Sequence, residues 1–203
     1  IRILVVISLF YHKGGPQILE AFSQLEKRHK NIELWIKADP PEEFKKKYKT
    51  KNIFWFPYFS QVLTREKLLQ NLHAQCDIFV YPSFCDSFGY SLMDAMVSGL
   101  PIVTTNLFAF SEIVKNGKNG FVVKLPKYRL KDRFSQDYEY KKINRVQNKI
   151  IVERLTKNIE KLVKSKRLRE KLAKENIKLI ERGKFSMDNR NRKLRKIYEE
   201  AIK

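Results

Sequence analysis

Cysteine is nearly absent. Cys76 and Cys85 are the two in 203 residues, and they flank a single candidate strand. The sequence therefore supports neither a disulfide framework nor a metal cluster, and free thiols in a reducing compartment are expected. Long apolar runs are missing too, and none reaches the length of a membrane span. No leader-like segment stands ahead of the opening strand at residues 1–7, so a cytoplasmic protein is expected. Opening inside a core strand also suggests a piece of a longer polypeptide. Within residues 76–104 no Ser/His/Asp or Cys/His set points to covalent catalysis. No interleaved glycine and aromatic motif or metal-held finger points to base readout, so nucleic acid is not an expected partner. Acidic residues are few, 22 Asp and Glu against 42 Lys and Arg, for a net charge of +20. What is present is an ordinary apolar share, 43%, with 12% aromatics, in a chain long enough to core one domain.

The chain is organised around residues 76–104. The apolar run 78–81 is too short for a helix and is closed by Pro82, so it reads as a strand buried on both faces. A loop follows from Pro82 to Gly89. Leu92, Met93 and Met96 then recur at helical spacing, and Gly99 sits where a left-handed C-cap belongs, giving a helix over about 90–98. Pro101 forbids continuation, and Ile102-Val103-Thr104 starts the next buried strand. In such a βαβ unit, ligands collect outside the carboxyl ends of the strands. Asp86 lies in that loop. Gly89 stands at the helix entrance, where free N–H groups and the positive end of the dipole can hold a phosphate. Asp94 follows on the first full turn, placed to take vicinal hydroxyls of a ribose or sugar, with Asp86 nearer the phosphate end.

This segment resembles the signature of the family 4, or group 1, retaining glycosyltransferases, in which two acidic residues separated by seven others flank a Phe-Gly. Asp86 and Asp94 have that spacing here, Phe88-Gly89 is the Phe-Gly, and Ala95-Met96, Gly99 and Pro101-Ile102-Val103 fall at the family's positions. The family's pair is usually two glutamates, each one methylene longer. The resemblance implies the second, donor-binding half of a GT-B enzyme that moves a hexose from a nucleotide diphosphate sugar, with retention and without a metal. An N-terminal acceptor-binding domain of the same chain would be its partner. It further implies Asp86 as the catalytic residue, and Lys13, Gly14, Phe88, Gly89, Tyr90 and Asp94 as donor-binding residues. Lys13-Gly14 matches the family's Lys-Gly. Ile7-Ser8 replaces its Gly-Arg, so one of two cationic diphosphate contacts is missing. A contact of that kind is commonly worth about 1.5–3 kcal/mol, which implies weak donor affinity or an arginine from elsewhere. Phe108-Ala109 replaces a Gly pair ahead of Glu112-Ile113.

The flanking segments complete an α/β pattern. An amphipathic helix over about 16–30 has Pro16 in its first turn. Strands are expected over 32–38 and 52–56, with a short helix over 42–49 between them. Thr64 reads as the cap of a helix running to about residue 75, and His73 on it as structural. The aromatic loop Tyr58-Phe59-Ser60 sits where the family's base lodges, although core aromatics are the commoner use. Residues 116–120 form a turn with two glycines suited to positive φ, leading into a strand at 121–123. The count gives a Rossmann-like, doubly wound parallel sheet of about six strands with helices on both faces.

From Lys127 the chain turns helical and basic. Residues 127–203 hold 26 of the Lys and Arg and 11 of the Asp and Glu, a net +15. The expected layout is a core over 1–126 and a helical extension packed on it as one domain. Ile143, Val146, Ile150, Ile151, Leu155, Ile159, Leu162, Val163, Leu168, Leu172, Ile177 and Ile180 are its apolar face. Phe185-Ser186 marks a break before a last helix, and residues 127–140 are expected as a mobile loop. The charge is that of a solvated face, or of a tail that meets an anionic membrane surface on the cytoplasmic side. A transferase-like subunit that binds without catalysing is the alternative reading.

Overall fold

The computed structural model describes residues 1–58, 64–107, 109–125 and 145–202. Six strands, β1 Arg2–Val6, β2 Glu33–Lys37, β3 Ile53–Phe56, β4 Ile78–Tyr81, β5 Ile102–Thr105 and β6 Gly120–Val123, form one sheet in the order β3-β2-β1-β4-β5-β6. Every pairing is parallel. The order reverses at β1, where the path turns from β2 and β3 on one side to β4, β5 and β6 on the other. Right-handed crossovers then place the helices of the two halves on opposite faces. β4 and β5 are buried at every position, as their unbroken apolar runs require.

The helices of the core are α1 Gly15–Arg28, α2 Glu42–Lys47, α3 Arg65–Asn71, α4 Tyr90–Val97 and α5 Phe110–Ile113. Thr64 caps α3 as expected, its hydroxyl accepting from the Lys67 N–H at 3.3 Å. That helix ends at Asn71 rather than near residue 75, and a 3-10 turn, His73–Gln75, carries the chain into β4. Gly99 takes the left-handed conformation expected after α4, with φ 67. The turn before β6 differs from expectation. Gly117 has the positive φ, but Gly120 does not. A Cβ on Gly120 would lie 2.4 Å from the Ile102 carbonyl oxygen, so close strand packing is what the second glycine serves.

Three helices follow: α6 Arg145–Lys164, α7 Lys166–Glu181 and α8 Met187–Ala201. α6 lies against α1 and reaches β5 and β6, while α7 packs on α4. Ile151, Leu155, Ile159, Leu162 and Leu172 are buried, but Val146 is 68% and Ile177 38% exposed, so the expected apolar face is narrower than its periodicity. Ser186 caps α8, accepting from the Asn189 N–H at 3.2 Å. Buried Asn176 on α7 donates to the carbonyls of Leu100, at 2.7 Å, and Asn119, at 3.0 Å, and accepts from Asn119 Nδ2 at 2.9 Å. This interlock ties α7 to the segments leading into β5 and β6. Both cysteines are free thiols. Phe59, Ser60, Phe108, Ile143 and the expected loop at 127–140 lie outside the described residues. Among the described residues no helix is long and apolar enough to cross a membrane.

Candidate functional site

The carboxyl ends of β1 and β4 feed two loops that are stitched together. The Phe84 N–H donates to the His12 carbonyl at 2.9 Å. Gly14 has φ 75, and a Cβ there would lie 2.3 Å from the Pro82 carbonyl oxygen, so only glycine permits this approach of the β1 and β4 loops. The β4 loop is also held from below. Thr104 and Thr105, at the end of β5, donate to the carbonyls of Tyr81 and Ser83 at 2.9 and 2.7 Å.

This stitching brings Lys13 onto Asp86. Lys13 Nζ lies 2.7 Å from Asp86 Oδ2 and 2.5 Å from the Cys85 carbonyl, and both side chains of the pair are largely buried. The Tyr81 hydroxyl donates to the same carboxylate oxygen. Burial pushes the Asp86 carboxyl upward, but the hydrogen bonds from Lys13 and Tyr81, the ammonium charge and the Ser87 N–H outweigh it, and its pKa falls below the ordinary value. Burial, with Asp86 alongside, pushes the Tyr81 phenol strongly upward, so the phenol stays protonated and donates.

Gly89 opens α4 with φ 91 and no side-chain cap; the Leu92 N–H turns back to the Gly89 carbonyl at 2.9 Å, and the N–H groups ahead of it have no intrahelical partner. A Cβ on Gly89 would come within 2.8 Å of the Phe110 ring. One turn on, Asp94 is buried to 9% exposure, and Arg65 from the start of α3 donates to its Oδ1 through Nε at 2.9 Å and through Nη2. Asp94, Arg65, Tyr90 and Ser91 line a cavity of about 440 Å³, closed by Val6, Lys37, Tyr58, Leu68 and His73.

The residues singled out in the sequence thus fall into two adjoining groups. Lys13, Gly14 and Asp86 meet where the β1 and β4 loops touch. Tyr90 and Asp94 face the cavity, and Gly89 joins the two groups at the helix entrance. Phe88 stands at the surface, 39% exposed, with its ring 5.3 Å from that of Tyr90. Tyr58 is half-buried, packed against the core and also on the cavity wall. Sequence reasoning missed Tyr81, Arg65 and Lys37; His73, expected as structural, is buried and stacked on Phe79 and also lines the cavity. Lys37 carried no signal, because a lysine closing a strand reads as solvated. The others are likewise recognisable only by their contacts. Among the described residues no group of three or more His, Cys, Asp or Glu side chains could hold a metal ion.

Comparison with known proteins gives the family and the fold. The family model described as "Glycosyl transferases group 1" matches residues 1–137. The lipopolysaccharide glucosyltransferase WaaG of Escherichia coli K12 is 25% identical over 130 residues, 61% of this chain and 33% of that protein. The curated relatives are thus much longer than the stretch they share with this chain. Among solved structures, the C-terminal domain of a group 1 family glycosyl transferase from Francisella tularensis superposes with a TM-score of 0.66 at 19% identity, covering 88% of this chain and 83% of that one. A glycosyltransferase from Rickettsia africae superposes with a TM-score of 0.71 at 20% identity, over 100% of this chain and 48% of that one. At such identities the superpositions establish the fold, that of a C-terminal GT-B domain.

Proposed function

The chain belongs to the group 1 glycosyl transferase family, and from that premise we propose that it is the donor-binding half of an enzyme that transfers a hexose from a nucleotide diphosphate sugar, with retention, to an acceptor held by a further domain. The observation that carries this reading is the cavity at the carboxyl ends of β1 and β2, with the carboxylate of Asp94 on its wall and the uncapped start of α4 beside it.

Asp94 takes the ribose hydroxyls, accepting two hydrogen bonds from a vicinal diol. The diphosphate lies at the start of α4, where the free N–H groups of the Phe88-Gly89-Tyr90 backbone, Gly14 and Lys13 face it. The anomeric carbon–oxygen bond to the diphosphate breaks as the acceptor hydroxyl oxygen bonds to that carbon, and the hydroxyl proton passes to the leaving diphosphate. Negative charge then builds on the leaving diphosphate, and the Lys13 ammonium and helix dipole are fixed where it builds. Asp86, held by Tyr81, meets the sugar and keeps the reacting carbon in place. The reading calls for no metal ion. Arg65, beside Asp94, is an arginine from another element of the kind that the absent Gly-Arg pair requires. Residues 127–203 extend the same domain.

Calorimetric titration of the complete protein with UDP, GDP and ADP and their sugar conjugates tests this, in parallel with Asp94→Asn. One nucleotide should bind, and the variant should weaken it by about tenfold or more. Absence of binding at millimolar nucleotide would overturn the reading.

A further inference from the structure

Two polar groups on the cavity wall have no part in the contacts assigned above. Lys37 closes β2 at 5% exposure, and its ammonium donates to the Pro57 carbonyl at 2.5 Å and the Tyr58 carbonyl at 3.0 Å. An ammonium has three N–H donors. The third makes no hydrogen bond among the described residues, where the ammonium also lies 5.6 Å from the centre of the Tyr58 ring. Burial holds the ammonium below its ordinary pKa despite the charge of Asp39 nearby, so a further acceptor in the cavity would stabilise it. His73, 1% exposed, lines the same cavity with its ring stacked on Phe79. Its Nδ1 lies 3.3 Å from the Leu68 carbonyl. A carbonyl can only accept, so Nδ1 carries the proton and Nε2 presents a lone pair. That nitrogen is buried and has no partner. Burial also holds the ring below its ordinary pKa, which favours this neutral form.

The cavity wall therefore offers one unused donor and one unused acceptor, near the carboxylate of Asp94. We propose that Lys37 and His73 read the nucleobase of the donor, and that the base is a keto base, uracil or guanine. This deepens the donor-pocket reading and rests on it. With the ribose on Asp94, the base lies toward the ends of β2 and β3, where Lys37 closes its strand. Uracil and guanine each carry a carbonyl oxygen beside a ring N–H on one edge. Lys37 donates to the carbonyl, and His73 Nε2 accepts from the ring N–H. Adenine and cytosine carry an exocyclic amino group where that carbonyl stands, which sets a donor against the ammonium. A buried site built to hydrogen-bond one group discriminates strongly against a ligand that leaves its polar atoms unpaired.

The test is calorimetric titration of the complete protein with UDP, GDP, ADP and CDP, repeated on Lys37→Met and His73→Phe, with the thermal unfolding of each variant recorded. UDP or GDP should bind about tenfold or more tighter than ADP and CDP. Lys37→Met should weaken the favoured nucleotide about tenfold and leave the amino-base nucleotides within about twofold; His73→Phe should reduce the preference in the same direction. The ranking in the unaltered protein decides even where a variant fails to fold. ADP or CDP binding as tightly as UDP and GDP overturns the inference, as does a keto preference that survives Lys37→Met. If all four bind equally and Asp94→Asn weakens all of them, the donor pocket stands and the base assignment falls. If none binds at millimolar concentration, both fall together.

Discussion

Lys13 Nζ lies 2.7 Å from Asp86 Oδ2, so the two residues expected to meet opposite ends of a donor's diphosphate-sugar moiety neutralise one another in the free chain. The pair joins positions 73 residues apart, and Tyr81 completes it from β4. On the proposed reading, a diphosphate at the start of α4 would compete for Lys13 and leave Asp86 with Tyr81.

Lys13→Met removes the cation and leaves a largely buried carboxylate. Breaking one side of a buried pair is strongly destabilising, and the remaining Tyr81 and Ser87 bonds moderate the loss to about 2 kcal/mol. Urea unfolding should show the midpoint falling in Lys13→Met and recovering in Lys13→Met/Asp86→Leu. An unchanged midpoint in the single variant would mean that the pair contributes nothing to stability.

The depressed pKa of Asp86 carries a pH signature. Its carboxylate is favoured in the folded chain, so the stabilisation is complete above the unfolded value, about 4, and is lost as pH falls through the lower folded value. Between pH 6 and pH 2.5 the unaltered protein should lose stability more steeply than Asp86→Asn, with the difference confined below about pH 4. Parallel curves would contradict this.

His73 acts in the same sense at a higher pH. Burial, the largest influence, lowers its pKa from 6.5, against the Leu68 carbonyl and Asp94. The unfolded ring takes a proton near 6.5 while the folded ring resists, so stability is full above that value and declines as pH drops below it. His73→Phe keeps an aromatic ring on Phe79 and removes the titration. Thermal unfolding between pH 7.5 and pH 5 should show a shallower slope in the variant.

Gly89→Ala forces a side chain onto a backbone with φ 91 and a Cβ within 2.8 Å of the Phe110 ring. Strain of this kind costs about 1–3 kcal/mol. The melting temperature should fall, and nucleotide affinity with it, because the α4 entrance is displaced. A variant with unaltered melting and affinity would show that the entrance tolerates a side chain.

Asn176→Ala leaves the buried Leu100 and Asn119 carbonyls without their Asn176 donor. Each buried group stripped of its partner costs about 1–3 kcal/mol, so a loss near 3 kcal/mol is expected in denaturant unfolding. A loss below about 1 kcal/mol would mean that water replaces the asparagine.

What the sequence by itself determined is the order of the elements and the stretch that matters. Period and punctuation are local properties. The run at 78–81, Pro82, Gly89, Gly99 and Pro101 mark a strand, loop, helix and strand whatever surrounds them, and the spacing of Asp86 and Asp94 lies within that unit. The tertiary structure alone decided the partners. Lys13 on Asp86, Arg65 on Asp94, and Asn176 on Asn119 join residues from separate elements, and such pairings depend on strand order and on how closely loops pass. The same holds for exposure. Val146 and Ile177 have the helical spacing of buried residues, yet only the neighbours that α6 and α7 meet determine which part of an apolar stripe is covered. Lys37 is the sharpest case. A lysine at a strand end reads as solvated, and burial against Pro57 and Tyr58 arises because β3 runs alongside β2 and its chain crosses over the ammonium.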